Sequence, residues 1–295
     1  MALLSFPNSY KDRLWYLTLR QFLRHKMAVF GVLIMTVMLF CVVFANVIMP
    51  FDAEEPDLFN MMASPGWPHL MGTDELGRDL LTRTLYGGRV SLIVGVFAML
   101  IAVTLGTLIG ALAGYFGGMI DNVLMRFTDF ALAFPRIFVL ILLAILLRPG
   151  IITVVIVIGI LAWMPVARLV RGSFLEIKNR QFVEAAQALG AGNARIMFRH
   201  ILPNPLGPII VAASLGVANA IISESGLSFL GLGIQPPTAT WGNMLKNALD
   251  QIFAAPWTAI VPGFMIFLTV LSINYIGDGL RDAFDPHKIE QNPGE

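Results

Sequence analysis

Long apolar stretches alternate with shorter polar ones along most of this chain. Six stretches are free, or nearly free, of charge: residues 27–48, 90–113, 130–147, 151–167, 206–222 and 258–276. Each runs roughly 17 to 25 residues, the length a helix needs to cross about 30 Å of hydrocarbon. The pattern predicts an all-α integral membrane protein with six transmembrane helices. Span three is the least clean, because it contains Arg136. Span four is short and contains Pro165, which a membrane helix tolerates when neighbours satisfy the freed carbonyl.

Composition supports the pattern. Of 295 residues 57% are hydrophobic and only 13% charged, with a mean hydropathy of +0.75. A soluble domain carries about a quarter charged residues. The net charge of +1 points neither to nucleic acid nor to an acidic partner. A single cysteine, Cys41, excludes a disulfide framework within the chain. His25, His69, His200 and His287 lie far apart and show no metal-ligand spacing. The first 26 residues are polar and mixed, and the apolar run after them is too long for the core of a cleavable signal.

The distribution of charge sets an orientation. With the N-terminus inside, 14 of the 20 Lys and Arg residues fall in cytoplasmic segments. They include Lys11, Arg13, Arg20, Arg24 and Lys26 before span one, Arg126, six residues between spans four and five, Arg281 and Lys288. Five fall outside: Arg78, Arg83, Arg89, Arg148 and Lys246. The first outside loop also holds seven acids, from Asp52 to Asp79. The positive-inside rule therefore puts both termini, and the segment after span four, in the cytoplasm. The expected organisation is a cytoplasmic segment (1–26), a first span (27–48), an outer loop with an interfacial helix (49–89), a five-span core (90–277) and a cytoplasmic tail (278–295).

Within span two Gly106, Gly110, Gly114 and Gly118 recur every four residues along one helix face. Small residues at that spacing allow close backbone approach, so helix packing is the expected role. Gly117 and Gly118 also mark the helix end. No G-x-x-x-x-G-K-[ST] phosphate loop occurs, so no ATP site of that kind is expected on this chain. Arg136 is the one clearly intramembrane charge, with Asp129 near a span edge, which is too little for a relay of ions or protons.

The 38 residues at 168–205 are far more than a turn between helices requires. Phe174, Ile177, Phe182, Ala185, Ala186 and Leu189 form an apolar stripe at helical spacing, with Lys178, Arg180 and Glu184 outside it. Gly190 and Gly192 break that helix, and a second short one at 194–201 ends before Pro203. Small Ala185, Ala186 and Ala188, rimmed by Arg195, Arg199 and His200, suit docking on another protein. They equally suit a helix lying on anionic lipid.

At Glu184, Ala185, Ala186, Gly190, His200, Leu202 and Pro203 the spacing resembles the EAA loop of bacterial ABC-importer membrane subunits. In that family the loop is a coupling helix seated in a groove of a separate ATPase. His200 stands where many members carry an aliphatic residue. The segments "MGTDELGRDLLTRTLYGGRVSL", "GYFGGMIDNVLMR", "LSFLGLGIQPPTATWGNML" and "GDGLRDAFDP" resemble the C-type permease subunits of di- and oligopeptide importers, in order across about residues 70 to 286. The resemblance implies a type I importer permease in a bacterial inner membrane, not itself an enzyme. It also implies a second homologous permease, two cytoplasmic ATPases that carry the ATP and Mg, and an external substrate-binding protein. Relatives with these loops also serve nickel chelates, glutathione, antimicrobial peptides and oligosaccharides. An ion-coupled carrier working alone is the rival from a different class.

Three further features complete the reading. Asp74 with Arg78 and Asp79 with Arg83 are acid-to-base pairs four apart, and Thr73 can cap a helix that Asp74 and Glu75 open. An interfacial helix leading into span two is expected there, with a minor role in docking the binding protein. "ESGLSFLGLG" superficially suggests a serine-hydrolase elbow, but Leu230 stands where the motif needs glycine, and no span holds a histidine. It is expected as a short helix or re-entrant piece at the outer mouth. Arg136, some 9 Å from the cytoplasmic end of its span by helical rise, either snorkels to the interface or lines the translocation path and meets a peptide carboxylate.

Overall fold

The computed structural model describes residues 10–49 and 51–284, so Pro50, His287 and Lys288 lie outside the described residues. An N-terminal helix α1 (Tyr10–Arg24) precedes α2 (Lys26–Val43) and its short continuation α3 (Ala45–Ile48). Then follow α4 (Leu80–Phe116), α5 (Gly118–Ala133), α6 (Arg136–Leu146), α7 (Ile151–Ile160) and α8 (Trp163–Ile177). The remainder is α9 (Gln181–Ala188), α10 (Asn193–Arg195) running into a π-helical stretch Ile196–Ile201, α11 (Leu206–Phe229), α12 (Trp241–Ala248) and α13 (Trp257–Ala283). The described residues include no β-strand, only a single isolated bridge between Thr73 and Asp79.

α4 and α8 make the closest pairing in the bundle. An added methyl at Gly106 would lie 2.6 Å from the Trp163 carbonyl oxygen, and one at Gly114 would lie 2.6 Å from Phe174 Cβ. One at Gly110 would strike the carbonyl oxygen of Ala167. Backbone therefore rests on backbone, which matters because lipid offers no hydrophobic drive for helices to associate. Gly118 does not share this contact. It lies beyond the end of α4 at Gly117, with nothing within 4 Å.

These contacts also fix direction. Gly106 faces Trp163 and Val166, Gly110 faces Ala167 and Val170, and Gly114 faces Arg171 and Phe174. Residue numbers rise together, so α4 and α8 are parallel, and the chain between them must recross the bundle. α5 and α6 do so as a pair bent by 84°. At 11 residues α6 is about 16 Å long, too short to cross alone. Five other helical units are long and apolar enough to span.

The expected continuous helix at 130–147 is therefore corrected. Phe134 is extended (ψ 131°) ahead of Pro135, because a residue before proline is pushed out of the helical region. α5 starts earlier, at Gly118, and Arg136 is the first residue of α6 rather than a residue inside one continuous helix. Pro165 accompanies a milder interruption at Leu161–Ala162, four residues before it, where its ring would crowd the carbonyl, and Ile151–Ile177 still counts as one spanning unit.

The interfacial helix expected from Thr73 is likewise a knotted loop. Asp74 Oδ1 accepts from the backbone N–H groups of Leu76 (2.9 Å) and Arg78 (3.0 Å), closing a turn. Gly77 has φ +75° and lies directly against the Asp57 carbonyl, where no side chain would fit. Arg78 still pairs with Asp74 at 2.8 Å, but Arg83 pairs with Asp74 rather than Asp79. Asp79 is instead the N-cap of α4, accepting from Thr82 N at 2.8 Å, with its other oxygen 3.0 Å from His69 Nδ1. A side chain competing locally for backbone N–H groups favours turn over helix.

α13 lies between α2 and α11, and α11 lies between α13 and α4. α1 folds back on the end of α13, where Gln21 Nε2 donates to the Asp282 carbonyl at 3.5 Å. Both ends of the described chain thus share one end of the bundle. Large apolar side chains such as Phe30, Phe40, Phe97, Leu100 and Phe264 point outward, as a lipid-facing surface requires.

The ladder yields a paired test. Gly110→Ala should lower stability by about 1–3 kcal/mol through overpacking. Gly172→Ala, at an α8 position with nothing within 4 Å, should be neutral or stabilising by up to about 1 kcal/mol. Thermal unfolding of the two purified variants in detergent measures the difference.

Candidate functional site

The polar segment between α8 and α11 forms a tip built on the bundle. α8 ends at Ile177, and Arg180 turns the chain (ψ 146°) before α9 begins. Glu184 lies in the first turn of α9, where its charge opposes the helix dipole. At the other end Gly190, with φ +79°, donates to the Gln187 carbonyl, and Ala191 donates to Ala186. That is the Schellman pattern, which needs a left-handed residue and so a glycine. Gly192 (φ −67°) is not left-handed; it precedes α10, its carbonyl accepting from Ile196 N–H.

The turn at Arg180 divides the expected apolar stripe. Phe174 and Ala186 are buried, but Phe182 is 46% exposed, Leu189 88% exposed, and Ala185 is exposed. The anchor consists of residues that helical spacing did not single out: Val183, Ile196, Met197 and Ile201. They join Met99 and Ala102 of α4, Val166, Val170 and Phe174 of α8, and Ile209 of α11 in one cluster. The stretch that holds three of them is π-helical, with Leu202 N–H bonding to Met197, and a purely 3.6-residue count misplaces its faces. Tyr115 Oη adds a 3.0 Å hydrogen bond to Asn193, tying the end of α4 to the tip.

Of the residues expected to couple, Glu184, Ala185, Gly190 and Pro203 are exposed, His200 and Leu202 are half-buried, and Ala186 faces inward. The exposed residues of the tip combine apolar Phe182, Ala185, Ala188, Leu189 and Phe198 with polar Glu184, Gln187, Arg195 and Arg199.

Arg136 lies far from this tip, at the α5–α6 bend. It borders a cleft of roughly 280 Å³ whose other walls include Phe134, Val139, Leu161, Met164 and Pro165. Two basic residues in the middle of α8 are paired to α5 instead: Arg168 with Asp129, and Arg171 with both oxygens of Asp121.

One buried acid escaped the sequence reading. α11 continues seven residues beyond the expected span end at 222, and Glu224 inside that extension is 0% exposed. It accepts from Ser228 Oγ (2.8 Å) and from Ser91 Oγ of α4 (3.1 Å). Ser91 Oγ also lies 3.4 Å from Trp241 N, and Trp241 Nε1 donates to the Thr84 carbonyl at 3.0 Å. The "ESGLSFLGLG" stretch is thus the end of α11 and a turn, joined to α4 and α12 through one carboxylate. The serine-glutamate spacing of four was the available signal.

Residues 106–290 match the family of binding-protein-dependent transport system inner membrane components, and residues 13–65 match the N-terminal transmembrane domain of oligopeptide transport permease C. The chain belongs to this permease family. The permease is 45% identical to the oligopeptide transport permease OppC of Haemophilus influenzae, across 92% of its own length and 88% of the relative's. It is 43% identical to the dipeptide transport permease DppC of Alkalihalophilus pseudofirmus, across 92% and 90%. With the glutathione transport permease GsiD of Pectobacterium atrosepticum the identity is 42%, across 90% and 89%. Its fold resembles that of a chain of the MetNI methionine ABC transporter in an inward-facing form, with a TM-score of 0.53, 19% identity, and coverage of 69% of the permease and 96% of that chain. The permease is a multi-pass inner-membrane protein with the type I ABC importer fold.

Glu224→Ala would leave the Ser91 and Ser228 hydroxyls without their acceptor. The variant should lose about 1–3 kcal/mol, whereas Glu224→Gln, which keeps an acceptor oxygen, should lose less. The detergent-solubilised unfolding midpoints of the two variants give the ranking.

Proposed function

We propose that this permease is one half of the translocation path of a peptide importer, driven by cytoplasmic ATPase subunits that seat on the tip at residues 184–203. The observation that carries the reading is the set of exposed apolar side chains Phe182, Ala185, Leu189 and Phe198, held on a buried anchor and rimmed by charge. An apolar patch presented on a rigid base marks a docking surface. Basic residues concentrate on the same side of the chain as the tip, which supports placing the tip and both termini in the cytoplasm. The named relatives support short peptides as cargo and a second homologous permease as partner. ATP and Mg belong to the ATPases, and an external binding protein delivers the peptide to the opposite face.

The anchor suggests how the tip acts. Val183, Ile196, Met197 and Ile201 pack on side chains from α4, α8 and α11 together. Movement of a docked ATPase pair is therefore passed to three spans at once. The bundle then shifts between outward-open and inward-open populations, each biased by the contacts the ATPases make in it.

The test is a reconstituted complex carrying Leu189→Glu or Ala185→Trp. Peptide uptake should fall by at least about 10-fold, since a central exposed apolar anchor dominates such interfaces. Permease abundance in the membrane should not change. Undiminished uptake by both variants would remove the tip from the coupling role.

A further inference from the structure

Arg136 is placed where a cation is expensive. Its cleft is shared with Leu161, Ala162, Met164 and Pro165, which lie ten to fourteen residues along the 27-residue unit Ile151–Ile177. At 1.5 Å per residue that is about 15–21 Å from the outer end and about 18–24 Å from the inner end. A hydrocarbon core is about 30 Å thick and the unit is about 40 Å long, so the unit overruns the core, and the cleft falls within the crossing about one helical turn from Arg168.

No hydrogen bond or ion pair holds Arg136 among the described residues. The neighbouring carboxylates are committed elsewhere, Asp129 to Arg168 and Asp121 to Arg171. A charged residue inside a membrane faces a water-filled path or a partner group, because lipid tails supply neither charge nor hydrogen bonds. The sides of the cleft are apolar and include both breaks in the helices, at Phe134–Pro135 and Leu161–Ala162. The first turn of α6, which Arg136 opens, has no side-chain cap, so its free N–H groups add partial positive charge at the same point.

We infer that Arg136 is a selectivity residue of the translocation path, pairing in passage with the C-terminal carboxylate of the transported peptide. The inference rests on the peptide-importer reading above. A guanidinium matches a carboxylate in a two-point fork, and the interaction strengthens in an apolar cleft. One cation without a resident counter-ion holds a passing carboxylate without trapping it, which a path needs more than a tight site.

The experiment uses proteoliposomes containing this permease with its co-encoded permease, ATPases and binding protein. Uptake of trialanine is compared with that of trialanine amide for the unaltered complex, Arg136→Gln and Arg136→Lys. Affinity of the binding protein for each peptide is measured separately and divided out. Arg136→Gln should lower trialanine uptake about 10-fold and leave the amide unchanged, and Arg136→Lys should recover part of the loss. Equal loss of both peptides, loss of neither, or failure of Arg136→Gln to assemble with the second permease would each overturn the inference, the last by showing a partner acid as the counter-ion. Failure of the unaltered complex to take up either peptide would instead count against the importer reading itself.

Discussion

The bundle depends on one close approach, α4 against α8, made by glycines that let two backbones touch. In water such a pairing would be one contribution among many to a buried core. In lipid the surroundings are as apolar as the side chains, and close van der Waals packing is what distinguishes a helix neighbour from a lipid tail. Gly106, Gly110 and Gly114 set the distance between α4 and α8, and the matched rise of residue numbers along the contact sets their common direction. A parallel pair forces the intervening chain to return, and the return is where Pro135 bends it by 84°. The position of Arg136 at the α5–α6 bend is a consequence of that sequence of constraints.

Polar groups gather at the two ends of the bundle, where each set closes a different piece. At the end opposite the tip Asp74, Arg78, Arg83 and Glu75 knit the loop before α4, and Asn247 of α12 donates to Glu75 at 3.0 Å. Glu224 does the same for α4, α11 and α12 a few residues deeper. Buried polar groups of this kind stabilise only when their partners are complete, and here serine hydroxyls and backbone N–H groups supply most of them. At the other end the tip is held mainly by apolar side chains, with Tyr115 and Asn193 as a single polar tie.

Those two styles of anchoring suit different tasks. Hydrogen-bonded networks are directional and resist sliding. An apolar cluster shared by α4, α8 and α11 lets the tip and the spans shift as a packed unit while keeping contact. The permease family uses partner subunits, and the tip presents exposed apolar side chains, among them Leu189 and Phe198, outside the spans.

Much of the architecture was legible in the sequence because lipid imposes length and hydropathy on any span, and because positive charge is segregated by side. The six crossings, the polar insert at 168–205, the glycine spacing in span two and the left-handed stop at Gly190 are local properties of the chain. The misreadings arose where local preference met a partner distant in sequence. The acid-base spacing at Asp74 to Arg83 reads as a helix, yet Gly77 packed on Asp57 and the Asp74 carboxylate wrapped on its own backbone make a loop. Glu224 looked peripheral because its acceptor role depends on Ser91, 133 residues away. The faces of the tip were displaced because α9 turns off α8 and the stretch Ile196–Ile201 is π-helical. By itself the sequence determined what enters the membrane and where the chain stops being helical. Only the tertiary structure decided which helices lie parallel, which residues anchor the tip and which cleft Arg136 borders, because those depend on contacts between residues that the chain keeps far apart.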